Sequence, residues 1–222
     1  LGPDHLDLAV TLNNLGAFYE DQGRHPEVEY FYARALAIKE AALGSDHSEV
    51  ALSLNNLANL YQNQGRYNES QSLLERALEI YESVLGPDDQ QVSFPVTNLG
   101  TLYLRTGRYI EAERLLRRAL AIRETALGPE DLSVAANLSN LGVFYAERGR
   151  YPEAERMHTR ALTIRENALE PNHPALGTPL NNLGFVYWSQ GAYSDAVTLY
   201  RRAIDITEAA LGEDHPEVGM IR

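Results

Sequence analysis

Five asparagines, Asn14, Asn56, Asn98, Asn140 and Asn182, stand 42 residues apart in this 222-residue chain. A side-chain amide has one acceptor and two donors, the complement of the carbonyl and N–H groups along an extended polypeptide. Each such bond is worth about 1 kcal/mol net, so a row of five would grip a guest backbone without specifying its side chains. Asn is a mediocre helix former, and a merely solvated face has no reason to carry it five times in five. The same residues admit a second reading, in which the amides bridge to the neighbouring repeat as a structural ladder; both can hold together.

Other chemistry is sparse. The sequence has no G-x-x-x-x-G-K-[ST], no G-x-G-x-x-G after a strand and no H-E-x-x-H, nor a G-x-S-x-G. No carboxylate is singled out by breaking the repeat, so neither a catalytic residue nor a cofactor is expected. His5, His47, His173 and His215 recur one per unit, whereas a metal needs ligands that converge on one point. They are read as caps of the helix that follows, and no metal site is expected. There is no cysteine, which excludes disulfides and thiolate metal centres. Asn68-Glu-Ser70 and Asn137-Leu-Ser139 match the glycosylation sequon, a triplet that arises often by chance.

A formal net charge of −12 argues against a nucleic-acid partner, which needs a basic face, and against attachment to an anionic membrane. No stretch approaches 18 consecutive apolar residues and no signal-peptide pattern opens the sequence, so a cytoplasmic setting is the default expectation.

The 42-residue step governs the whole sequence. Leu1, Leu43, Leu85, Leu127, Leu169 and Leu211 keep it without a slip, as do Tyr19, Tyr61, Tyr103, Tyr145 and Tyr187 and the Ala35, Ala77, Ala119, Ala161, Ala203 column. Within a unit, Leu12, Leu15, Gly16 and Tyr19 fall at i, i+3, i+4 and i+7, one face of a helix. Gly23 follows as a stop signal. A second helical pattern runs Val28, Phe31, Tyr32, Ala35, Leu36, Ile38 and ends at Leu43-Gly44. The chain thus reads as an all-α solenoid of five helix-turn-helix repeats, 1–42, 43–84, 85–126, 127–168 and 169–210, with 211–222 starting a sixth. These form a single domain over 1–222, because a lone pair cannot cover its apolar faces but stacked pairs can. The chain ends twelve residues into the sixth repeat without a polar cap, so a piece of a longer protein is expected, with end faces open to end-to-end self-association.

The column 16, 58, 100, 142, 184 reads Gly, Ala, Gly, Gly, Gly. Glycine inside a helix costs about 1 kcal/mol against alanine, and close approach of the paired helix is the expected compensation. Arg34, Arg76, Arg118, Arg160 and Arg202 are read as a solvated or inter-repeat ion-pair row, with the Glu40 column as partner. Pro95 and Pro179 replace Thr11 well inside a first helix and should kink it or delay its start.

On a wheel of 100° per residue with Leu12 at zero, Leu15, Gly16 and Tyr19 lie within about 60°. Val10, Asn14, Ala17 and Asp21 lie opposite and cannot touch the paired helix, so they face the open side. The equivalent stripes hold Asn56, Asn59 and Asn63; Phe94, Asn98 and Arg105; Asn140, Val143 and Glu147; and Asn182 and Phe185, with Trp188 adjoining. These residues are the candidate peptide-binding set. The second column, Asn13, Asn55, Thr97, Ser139 and Asn181, lies nearer the inter-helix edge and is read as structural.

Leu12, Leu15-Gly16, Tyr19, Tyr32 and Ala35, repeated from unit to unit, resemble the tetratricopeptide repeat. The 42-residue step and the phrase Leu-Asn-Asn-Leu…Tyr…Gln-Gly-Arg-Tyr…Arg-Ala-Leu-Glu-Ile-Tyr-Glu over 54–82 are similar to the repeats of kinesin light chain, across essentially all 222 residues. The resemblance implies a right-handed superhelix whose first helices line a concave groove that takes up peptides. It also implies that the matching asparagines contact the peptide backbone. The heptad region through which kinesin light chain joins its heavy chain is not among these residues, so motor-cargo adaptor function is not implied. The carboxylate-clamp mode needs several groove cations, and only Arg105 is basic here. The expected function is a protein-protein interaction scaffold whose partner is a neutral or basic peptide with bulky apolar side chains. The alternatives are a structural spacer or oligomerisation module, or the sensor domain of a larger regulatory protein.

Overall fold

A computed structural model describes residues 5–20, 22 and 24–211. Leu1, Asp21, Gly23 and the beginning of the sixth repeat from 212 on, with His215 and Pro216, lie outside the described residues. The elements are helices throughout: α1 Leu6–Glu20, α2 His25–Leu43, α3 Ser48–Asn63, α4 Tyr67–Leu85 and α5 Ser93–Arg105. They continue as α6 Tyr109–Leu127, α7 Leu132–Glu147, α8 Tyr151–Ala168, α9 Gly177–Ser189 and α10 Tyr193–Leu211. Each odd helix packs on the even helix that follows, and the architecture is an all-α solenoid of helix pairs. The protein divides into two compact units, Leu1–Ile122 and Arg123–Arg222, where the repeat pattern predicts one domain; a stack in which each pair touches only its neighbours has few contacts across any cut.

In the first unit Ala9, Leu12, Ala35 and Ile38 form one core cluster, and Val28, Tyr32, Leu57 and Leu60 form the next, joining repeat 1 to repeat 2. In the second unit Leu162 of α8 meets Leu176, Leu180 and Leu183 at the start of repeat 5 and Ala203 and Ile206 of α10. The alanines at 35, 77, 119, 161 and 203 are all 0% exposed. The small column at 16 explains their neighbours. A Cβ built on Gly16 would lie 2.4 Å from the Tyr32 ring, one on Gly100 2.9 Å from Leu116, and one on Gly142 2.5 Å from the His158 ring.

The corners between repeats are capped as the sequence leads one to expect. The Nδ1 atoms of His5, His47 and His173 accept from the backbone N–H of Asp7, Glu49 and Ala175. Asp89 and Asp131 take over the same work, accepting from Gln91 and Ser133. The prolines delay their helices: short 3₁₀ turns, Gln90–Val92 and Pro174–Leu176, precede α5 and α9. Pro95 and Pro179 thereby fall in a first turn, where no intrahelical N–H bond is lost.

One arginine row ties consecutive repeats and a second braces the turn inside each of the first four. On the second helices Arg76 pairs with Glu40 at 2.7 Å and Arg118 with Glu82 at 2.6 Å. Arg160 pairs with Glu124, and Arg202 with Glu166, in the second unit. At the turns inside each pair, Arg24, Arg66, Arg108 and Arg150 lie over Tyr19, Tyr61, Tyr103 and Tyr145, 3.7 to 4.5 Å from the ring centroids. Each also binds the glutamate three residues on.

Because the Gly142 contact is with a ring rather than a flexible side-chain end, Gly142→Ala is expected to cost about 1–3 kcal/mol in urea denaturation. Adding His158→Leu recreates the Ala58 and Leu74 pairing of repeat 2 and should recover most of that loss.

Candidate functional site

Two recesses contain most of the predicted stripe, one in each unit. In the first, Asn56, Asn59 and Asn63 of α3 and Asn98, Thr101 and Arg105 of α5 join Glu20, Tyr32 and Gln62 around a volume of about 350 Å³. The lining is almost wholly polar and already engaged with itself. Asn56 donates Nδ2 to Asn13 Oδ1, and Asn98 donates Nδ2 to Asn55 Oδ1, both at 2.9 Å. Gln62 donates to the Asn98 backbone carbonyl at 3.2 Å. The Tyr32 hydroxyl donates to Glu20 at 3.0 Å, and Asn63 reaches the other Glu20 oxygen at 3.4 Å. Each bridging amide thus ties consecutive repeats through one of its donors and keeps its carbonyl and second proton.

The second recess, about 380 Å³, is lined by Val143, Ala146 and Glu147 of α7, His158 of α8, Asn181, Asn182 and Phe185 of α9, and Tyr200 of α10. Here the ladder is interrupted. Ser139 stands where Asn13 and Asn55 accept, and its hydroxyl donates to the Ala135 carbonyl while accepting from Arg165. Asn182 therefore keeps its amide turned to a half-buried apolar recess instead of to a neighbouring asparagine. Phe185 is 45% exposed and Trp188 55% exposed, with ring centroids 6.1 Å apart. Together with Val143 they form an apolar surface beside that amide.

The remaining predicted residues fall outside the recesses. Asn14 is exposed on α1, Asn140 is half-buried on α7, and Phe94 is exposed on α5. The second column is buried at Asn55 and Thr97 and accepts the ladder bonds at Asn13 and Asn55, whereas Asn181 lines the second recess. Sequence reasoning missed the second-helix contributors Tyr32, His158 and Tyr200. Their signal was the column 32, 74, 116, 158, 200, which reads Tyr, Leu, Leu, His, Tyr and so puts a ring with a polar atom at three of five positions on an apolar face. The sequon Asn137 is 2% exposed inside α7, closed to modification. Among the described residues no cluster of His, Asp and Glu could hold a metal ion, and no helix is long and apolar enough to cross a membrane.

Tetratricopeptide repeat models match residues 49–125 and 133–209, with further matches at 8–49 and 97–168. No curated protein sequence matches. Among solved structures, BtubC (BKLC) from P. vanneervenii is 27% identical with a TM-score of 0.78, over 95% of this chain and 84% of that one. A kinesin light chain-like protein from Podosopora anserina with nearly identical TPR-like repeats is 24% identical, TM-score 0.72, over 93% and 98% of the two chains. A Rap protein complexed with competence and sporulation factor is 22% identical, TM-score 0.80, over 95% of this chain and 56% of its own. The last two likenesses are likenesses of fold.

His158 gives the second recess its electrostatic character. It is 1% exposed, and its Nδ1 has no hydrogen-bond partner. Burial, and secondarily the charge of Arg165, lower its pKa from 6.5 to about 4. Between those values the unfolded protein binds a proton that the folded protein refuses. Stability from this residue is therefore retained above the unfolded value and lost as pH falls towards the folded one. At about 1.4 kcal/mol per unit, the loss is on the order of 3 kcal/mol. His158→Leu is expected to flatten the urea midpoint between pH 6.5 and 4 relative to the unsubstituted protein; parallel profiles would assign the acid sensitivity elsewhere.

Proposed function

Because this chain belongs to the tetratricopeptide repeat family, whose models cover most of it, and is a protein-protein interaction scaffold, we propose that it holds an extended polypeptide segment along the asparagine stripe of its first helices. The observation that supports this most directly is Asn182: an amide released from the inter-repeat ladder by Ser139, half-buried, beside the exposed rings of Phe185 and Trp188. An amide of that kind pairs with a guest's backbone carbonyl and N–H, while the rings and Val143 take up a bulky apolar side chain. That a Rap protein of the same fold is solved with competence and sporulation factor supports uptake of a factor by such a stack.

The asparagines divide their work in this reading. Asn56 and Asn98 bridge repeats with one donor and offer a guest their carbonyl and remaining proton. Asn182 has its whole amide to offer. Glu20 in the first recess and Glu147 on the stripe, with a net charge of −12, favour a neutral or basic segment. Arg105 is the stripe's one cation among the residues of the two recesses.

Peptides selected on the intact protein from a random displayed library, followed by fluorescence anisotropy, test the assignment. Asn182→Ala should weaken binding about fivefold to tenfold, the equivalent of one lost hydrogen bond, with an unchanged unfolding midpoint. Asn56→Ala should instead lower the midpoint, because Asn13 loses its donor. Undiminished binding by both variants would remove the amides from the interaction.

A further inference from the structure

The turn inside each repeat holds a guanidinium in repeats 1 to 4 and has none in repeat 5, although the rest of the receptor is kept. Repeat 2 shows the complete arrangement. Arg66 lies 3.7 Å from the centroid of the Tyr61 ring. It pairs with Glu69 at 2.6 Å and, across to the preceding second helix, with Glu29 at 2.8 Å. The Tyr61 hydroxyl donates to the same Glu29. These are an aromatic face and two carboxylates arranged around one planar cation.

The corresponding positions in repeat 5 are Tyr187 for the ring, Asp195 for Glu69 and Glu155 for Glu29, while position 192 is Ala instead of Arg. The backbone that would carry the cation is unchanged. Ala192 donates its N–H to the Tyr187 carbonyl at 2.9 Å, as Arg66 does to Tyr61 at 2.8 Å, and the Ala192 and Arg66 carbonyls each accept from the residue four on at 3.1 Å. Gly191 and Gly65 share the left-handed conformation, with φ of 84° and 75°. Glu155 accepts a single bond, from Gln190 at 2.9 Å. Among the described residues neither Glu155 nor Asp195 has an ion-pair partner. The Tyr187 phenol is raised above its ordinary value by burial and then by the nearby charges of Glu155 and Asp195, so both carboxylates lie within electrostatic reach of the ring.

We propose that Tyr187, Glu155 and Asp195 form a receptor for an arginine side chain supplied by a partner polypeptide, the position that Arg24, Arg66, Arg108 and Arg150 fill from within the protein. Arginine fits better than lysine, because its flat guanidinium can stack on the ring and reach two carboxylates at once, whereas an ammonium is a compact, strongly hydrated point charge. The site lies at the turn between α9 and α10 and is separate from the asparagine stripe.

The test follows the Tyr187 ring by NMR during titration of the intact protein with capped arginine, N-acetyl-arginine amide. Saturable shifts at Tyr187 are expected, with at least threefold weaker binding of the capped lysine and no response to capped citrulline, which has the same shape without the charge. Asp195→Asn should weaken the response severalfold. Ala192→Arg should abolish it and raise the thermal midpoint by a few degrees, since the cation then comes from the protein itself. Equal response to citrulline, or an undiminished response in Ala192→Arg, would overturn the proposal. Free arginine carries a carboxylate that would face Glu155 and Asp195, so it should bind more weakly than the capped form; tighter binding would overturn the polypeptide source. A negative result leaves the Asn182 assignment standing, because the probe and the ring report on a different place.

Discussion

A pair of short helices has no interior of its own, and isolated helices of this length are marginal in water. What makes the pairs of this protein stable is how closely their axes approach. The alanines at 35, 77, 119, 161 and 203 are completely covered, and the glycines opposite the second helices leave ring and leucine atoms where a Cβ would otherwise stand. Glycine weakens the four first helices that carry it by about 1 kcal/mol each, and the dispersion and burial gained across the tight contact offset it. The approach also sets which side chains stay outside. With one face of each first helix pressed on its partner, the opposite stripe is left facing away from the pair.

Polar groups on that stripe must be satisfied or exposed to water or a guest. The structure resolves the choice by the residue in the second column. Where it is asparagine, as at 13 and 55, the next repeat's amide donates to it and the ladder closes. Where it is Ser139, the hydroxyl is occupied by the Ala135 carbonyl and Arg165, and the following amide is released. A one-residue change in a repeated position thus releases an amide from a structural contact.

The same logic runs through the other departures from the repeat. His158 replaces the leucine of repeats 2 and 3 and brings a buried imidazole that burial keeps neutral. Pro95 and Pro179 move the start of α5 and α9 past a 3₁₀ turn. Ala192 removes the cation from a turn built to hold one. Regular positions hold the stack together, and irregular ones give each recess its chemistry.

How much was legible in advance follows from range. Helix pairs, their turns, the histidine caps and the delayed proline helices depend on residues within a few positions of one another, and the 42-residue step displays them five times over. The stripe facing away from the paired helix was legible for the same reason, since helical period alone places Asn56, Asn98 and Asn182 on it. Which amide bonds which neighbour was not legible. Asn13 and Asn56 are 43 residues apart, and only the stacking distance decides whether their side chains meet. The contributions of Tyr32, His158 and Tyr200 were hidden likewise, because a second-helix residue reaches a first-helix recess only through the gap left by a small residue. The sequence by itself therefore determined the units and the faces they expose; the packed structure decided which polar groups on those faces are already engaged, because hydrogen bonding depends on ångström distances across repeats that no local pattern encodes.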